Sequence, residues 1–301
     1  MPAPPPLPNK PQATPSRATG WLLLLVTSVG WGFNWPAMKL LLQEWPPLFA
    51  RGTAGLIAAL ALVAVALLRG ERLAVPRQLW SRLAASAFCS VFAWMGFTSL
   101  SLRWLSAGQA ALLVYTMPVW ATMLAWPVLG QRPTPRALAG LLLCMSGVAV
   151  LVGQNASIGA EQLPGVLFAL GAALMFALGT ITIAALPLPP FTSIAWQLLL
   201  GCLPMVVLGL LFEKPDFSAL SPLGFGLMAY MTIGPMGLCY LSWFAALRRV
   251  PPQAASMATL LTPMIGVSAA AALLGEPFGA RQIGAMVLTL GGVALALRRG
   301  A

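Results

Sequence analysis

The sequence has no histidine, and only 6 of its 301 residues are acidic. Charged residues make up 8% of the chain, against about 25% in ordinary soluble domains. These absences argue against a zinc centre and against Ser–His–Asp chemistry. Cysteine is scarce as well. Cys89, Cys144, Cys202 and Cys239 each lie inside an apolar run, without metal-ligand spacing, so they read as small core residues rather than a disulfide framework. No phosphate-binding loop or separate soluble segment points to an enzyme or a sensor. No catalytic residue, metal or cofactor is expected.

What the chain does have is apolar surface: 59% hydrophobic residues and a mean hydropathy of +0.87. No water-soluble fold can bury that much at this length, so the expected partner is a lipid bilayer. Only helices and closed barrels span bilayers. The runs are long and do not alternate, which selects helices. The formal charge of +11 comes from scattered basic residues that form no basic face interleaved with aromatics. It reads as a topology signal, and no nucleic-acid partner is expected.

Residues 1–18 are rich in Pro, Ala and Ser and read as a disordered tail. The first apolar run lacks the short length and small-residue cleavage site of a signal peptide, so it reads as a membrane helix. Ten candidate spans follow, at about 20–42, 47–68, 79–101, 106–129, 135–152, 163–186, 191–212, 221–247, 252–274 and 280–297. Turn and charge signals such as "QEWPP", "GQRPTPR" and "GEPFGAR" separate them. The eighth is long, with a bend expected at Pro235. With the N-terminus in the cytoplasm, twelve Lys and Arg fall on cytoplasmic segments and five on the other side, Lys39 and Arg51 among the five. Both termini are therefore expected to be cytoplasmic.

A shift of 145 positions lays "YTMPVWATMLAWPVLGQR" (115–132) on "LLTPMIGVSAAAALLGEP" (260–277). Pro118 then meets Pro263, Gly130 meets Gly275, Arg136 meets Arg281 and Gly147 meets Gly292. A repeat of five helices is odd, so its second copy enters the membrane inverted. The expected fold class is an all-α membrane protein of ten transmembrane helices in two inverted five-helix repeats, 19–152 and 163–298, an architecture common among secondary transporters.

The segments "WGFNWPAMK" (31–39), "AGQAALLVYTMPVWATMLAWPVLGQRPTPRALAGLLLCMSGVAVL" (107–151) and "PQAASMATLLTPMIGVSAAAALLGEPFGARQIGAMVLTLGGVALAL" (252–297) resemble the drug/metabolite transporter superfamily, in its ten-helix EamA-type members. The resemblance covers nearly everything after the tail. It implies an exporter of small metabolites, amino acids among them, in the bacterial inner membrane. The aromatic-rich pattern is most similar to the aromatic amino-acid exporters. The alternative on the same fold is a multidrug or toxic-cation efflux pump. The superfamily's small multidrug members keep a membrane glutamate in the first helix, where this chain has Trp31 to Trp35.

Polar and aromatic stripes supply the candidate substrate-binding residues: Thr27, Trp31 and Asn34 in the first span, Trp94 and Thr98 in the third, Tyr115 in the fourth, Tyr240 and Trp243 in the eighth. Such residues offer flat apolar walls with single hydrogen-bonding atoms. The bland alternatives are hydroxyls bonded to their own helix and tryptophans at the membrane interface. Trp21, Trp45, Trp80 and Trp104 are assigned to that interface belt. Pro118 and Pro263, mid-span in matching helices, are candidate gating hinges, with fixed kinks as the alternative. Gly147 and Gly292 read as sites of close packing or a dimer face; the chain is expected to be a monomer or homodimer. All six carboxylates fall at loops or span ends, so no membrane carboxylate is available for proton coupling. Lys39 and Arg51 read as snorkelling to the interface, or else one of them attracts a substrate carboxylate.

Overall fold

The computed structural model describes residues 17–152, 161–182, 186–247, 249–250 and 258–297. The expected tail lies outside them, apart from its last two residues. So does the expected start of the ninth span. Among the described residues the chain is helical throughout, with no strand. The helices are α1 Arg17–Leu41, α2 Pro47–Leu68, α3 Arg77–Ser101, α4 Ala107–Leu129, α5 Pro135–Val152, α6 Leu163–Thr182, α7 Pro190–Glu213, α8 Pro222–Leu247, α9 Leu261–Leu274 and α10 Ala280–Leu297. Six of them, α2, α3, α4, α6, α7 and α8, are long and apolar enough to cross a membrane.

Local chemistry sets the ends. Proline, with no N–H to satisfy, occupies the first position of α2, α5, α7 and α8. Ser106 and Gln109 form a capping box at the start of α4, and the Ser221 hydroxyl accepts the Gly224 N–H at the start of α8. Gly130 and Gly275 end α4 and α9 with φ of 70° and 66°, a conformation open to glycine at no steric cost.

Those two glycines are 145 positions apart, and the helix irregularities repeat with nearly the same shift. A π-helical turn at Phe88–Ala93 interrupts α3, and another at Gly234–Leu238 interrupts α8. Turn residues 115–116 break α4, and turn residues 259–260 precede α9. Pro118 and Pro263 therefore sit in the first turn of a new helical segment, just beyond a break, rather than in the middle of a continuous helix. The bend expected at Pro235 takes the form of the α8 π-turn that contains it.

Packing exchanges elements between the halves. α1 lies on α8 and α9, and α6 lies on α3 and α4; α2 pairs with α7, and α5 with α10. Small residues permit this closeness. A Cβ on Gly30 would meet the Cys239 sulfur at 2.3 Å, and one on Gly32 would meet Ile265 at 2.6 Å, so α1 nests into α8 and α9. A Cβ on Gly147 would meet the Thr289 hydroxyl at 2.3 Å, and one on Gly292 the Cys144 backbone nitrogen at 2.5 Å. Those glycines thus set the α5–α10 contact. Outside, the bundle presents Leu22, Leu60, Leu142, Leu167 and Phe212, each more than half exposed, as a lipid-facing surface should.

Candidate functional site

The two ends of the bundle differ. Where α1 ends, three carboxylates each cross from one half to a helix start in the other. Glu44 accepts the Ser221 N–H at 2.8 Å and its hydroxyl at 2.6 Å. Glu213 accepts the N–H groups of Leu48 and Phe49 at 3.3 and 3.0 Å, and pairs with Arg103 at 3.3 Å. Glu276 accepts those of Ala107 and Gly108 at 2.6 and 3.0 Å. The orphan N–H groups and positive dipole end of a helix suit an anion. Lys39 does the converse: its ammonium donates to the carbonyls of Leu102 and Leu105 just past α3. Trp45 is buried there, packed on Phe49 and Phe217, and its indole donates to the Asp216 carbonyl at 3.0 Å. Its place is inside this seal, which departs from the interface-belt expectation because a hydrogen-bonded aromatic cluster encloses it. Nearby, the Ser218 hydroxyl and N–H both donate to the Asp216 carboxyl and hold it below the usual carboxylate range.

The opposite end holds a cavity. It has a volume of about 760 Å³ and lies between α2, α7 and α8, with Arg69, Phe191 and Arg249 towards the bundle end and Met236 and Tyr240 at its depth. That volume fits a small molecule. The Arg69 guanidinium stands 4.9 Å over the Phe191 ring. One inter-half carboxylate, Glu71, holds this end by accepting the Thr192 N–H and hydroxyl at 2.9 and 3.0 Å.

Of the residues singled out by sequence, α1 and α8 bring four together. Trp31 packs on Tyr240 at 5.6 Å and on Trp243 at 5.9 Å, and its indole donates to the Pro235 carbonyl at 3.1 Å. The π-turn frees that carbonyl from the regular helix pattern. Thr27, one turn before Trp31, donates to its own helix at Leu23 (2.8 Å) and reaches the Cys239 carbonyl at 3.3 Å. Tyr240 belongs at once to this cluster and to the cavity wall. Tyr115, buried in the bundle at the break in α4, meets Trp35 at 6.4 Å. Trp94 and Thr98 face another way: Trp94 packs on Phe176 of α6 at 4.5 Å, and the Thr98 hydroxyl donates to the Trp94 carbonyl at 2.5 Å. Trp94 and Phe176 are the 145-shift counterparts of Cys239 and Trp31, so the contact echoes the α1–α8 cluster in the other half. Pro263 is buried, while Pro118 lines a shallow groove between α4 and α6.

Asn34 is 9% exposed and accepts from Arg51 Nη1 at 3.4 Å. Arg51 itself is 7% exposed. It does not snorkel, and it does not belong with the loop charges; it sits five residues into α2 with its guanidinium turned into the bundle. Its residue type and distance from the span end carried no signal of this, because only the packing of α1 on the bundle decides which side of α2 is interior.

Several known proteins are similar to the chain. A transporter of Bacillus subtilis, YvbV, is 29% identical over 279 residues, covering 91% of this chain and 90% of its own. A probable amino-acid metabolite efflux pump of Salmonella typhimurium is 28% identical over 289 residues, covering 92% and 94%. The aromatic amino acid exporter YddG of Ancylobacter novellus is 24% identical over 257 residues, covering 83% and 88%. A solved crystal structure superposes with a TM-score of 0.63 over 93% of this chain and 97% of the other, at 19% identity, a likeness of fold. The apolar helices and these relatives describe a multi-pass membrane transporter, and with matches over residues 18–153 and 163–298 the chain belongs to the EamA-like transporter family.

Proposed function

We propose that the protein is a secondary transporter that exports small metabolites, aromatic or large apolar amino acids first among them, by alternating access. The observation that carries this reading is the difference between the two ends: the largest cavity described lies towards one end and reaches Tyr240, and inter-half carboxylate caps hold the helix starts together at the other. In this reading all ten helices cross the membrane as two inverted repeats, 19–152 and 163–298. Both termini lie in the cytoplasm of a bacterium whose inner membrane holds the protein. The cavity then faces the cytoplasm, where an exporter loads. Tyr240 lines it, and Trp31, Trp243 and Thr27, clustered around Tyr240 and the helix turn before it, are the binding residues next to it; Asn34 and Tyr115 bind deeper in the bundle, and Trp94 and Thr98 are the matching residues of the other half. Pro118 and Pro263, each beyond a helix break, are the gating hinges.

The family and relatives indicate a transporter rather than an enzyme. Against the cation-efflux alternative stands Arg51, a buried positive charge beside Asn34, together with carboxylates engaged at helix ends. The test is labelled phenylalanine counterflow in liposomes, competed with unlabelled amino acids and organic cations. Exchange competed by aromatic amino acids supports the reading. No phenylalanine exchange, with flux of a cationic drug instead, refutes it.

A further inference from the structure

We propose that Arg51, with Asn34 beside it, is the anchor for a carboxylate of the transported molecule, so that the substrate class is an amphipathic carboxylate. The proposal rests on the transporter reading above and adds the chemical group that is recognised.

Arg51 carries a charge it cannot shed, since guanidinium stays protonated in proteins. It is 93% buried by its 7% exposure. Among the described residues its one side-chain bond, Nη1 to Asn34 Oδ1 at 3.4 Å, goes to a neutral acceptor, and its Nε has no partner. No carboxylate answers it among the described residues. Glu44, Glu71, Glu213 and Glu276 are all bound to helix starts, and Asp216 to Ser218. Leaving a buried charge unpaired costs several kcal/mol on the order of a broken buried ion pair. Within a membrane such a group marks a site where an opposite charge arrives. The structural use of a basic residue is visible nearby for contrast: Lys39 spends its ammonium on two helix-end carbonyls.

The surroundings fit an amphipathic ligand. Cys202 and Tyr240 lie within electrostatic reach of the guanidinium. Tyr240 also lines the cavity and packs on Trp31. A cation, an amide and an aromatic wall thus follow one another from the capped end towards the cavity. The guanidinium fork can take both carboxylate oxygens, and the rings can take an apolar body. Arg51 does not itself line the cavity, so a lining segment must move for a carboxylate to reach it, and the α8 segment that carries Tyr240 is the one built to do so. The π-turn Gly234–Leu238 ends two residues before Tyr240, and an irregular turn lets the following segment shift at little cost.

The test uses purified full-length protein and two probes titrated by calorimetry: 3-phenylpropionate, which has a carboxylate and no amine, and phenethylamine, which has the reverse. Wild type is expected to bind 3-phenylpropionate about tenfold or more tightly than phenethylamine, the scale of one charge-assisted hydrogen bond. Arg51→Lys keeps the charge, loses the fork and is expected to weaken 3-phenylpropionate about tenfold; Arg51→Gln is expected to abolish the preference. Equal binding of the probes, binding of neither, or a preference that is undiminished in whichever variant folds overturns the proposal. Phenylalanine counterflow run in parallel separates the two readings. Selective binding of 3-phenylpropionate without phenylalanine exchange sinks the amino-acid assignment and leaves the carboxylate anchor standing.

Discussion

Glu276 accepts the backbone N–H of Ala107 at 2.6 Å, so a carboxylate just past α9 closes the start of α4 in the other half. Glu44 and Glu213 make the same kind of crossing at the same end. For that end to open, these bonds must break together.

Glu276→Gln combined with Glu44→Gln is therefore expected to shift the protein towards opening at that end. Losing charge-assisted bonds of about 1.5 kcal/mol each changes the open population about tenfold per bond. A single cysteine at Ala111, buried in α4, in a background without the native cysteines, reports the change. A membrane-impermeant maleimide should label it at least about tenfold faster in the double variant. Unchanged labelling would remove the caps as a latch.

Gly147 and Gly284 make a paired test of the α5–α10 contact. A Cβ on Gly147 would meet the Thr289 hydroxyl at 2.3 Å and the Ala285 carbonyl at 2.8 Å, whereas one on Gly284 meets nothing within 4 Å. Gly147→Ala should cost about 1–3 kcal/mol and lower the unfolding midpoint in detergent. Gly284→Ala should leave it unchanged or raise it, through a helix-propensity gain of up to about 1 kcal/mol.

Trp31 and Trp94 are predicted to differ. Trp31 joins two aromatic rings of α8 and donates to the Pro235 carbonyl; Trp94 packs on Phe176 alone among the ring contacts of the described residues. Trp31→Ala should reduce phenylalanine counterflow about tenfold, the scale of one strong aromatic contact. Trp94→Ala should reduce it less. Equal losses would place the two walls on the same footing.

Pro118→Ala and Pro263→Ala test the hinges. Each restores an N–H that can continue the helix across the break before it. Slower exchange with unchanged ligand affinity is the expected result; unchanged exchange would make both prolines fixed kinks.

Transport is expected to ignore a pH gradient. Glu44, Glu71, Glu213 and Glu276 bind backbone N–H groups at helix starts, and Asp216 is exposed, which leaves no carboxylate of theirs in mid-membrane to carry a proton. Counterflow measured with and without an imposed gradient checks this, and a strong dependence would require another proton site.

Much of the architecture was legible in one dimension. Apolar run length exposed the helices, proline and glycine marked their ends, and the 145-residue echo revealed the duplication, because these signals are local and depend on residue type. Trp31, Tyr240 and Trp243 could be grouped because residues three or four apart share a helix face, and aromatic stripes in a bilayer have reason to turn inward. The tertiary structure decided what depends on partners distant in sequence. It turned Arg51 from an interface charge into a buried one, drew Trp45 into a seal, and separated Trp94 and Thr98 from the α1–α8 cluster. It also converted scattered glutamates into caps that cross between the halves. None of these can be read along the chain. A single helix does not define which of its sides is interior; that is settled only when α1 and α6 exchange places between the halves and α2 closes against α7.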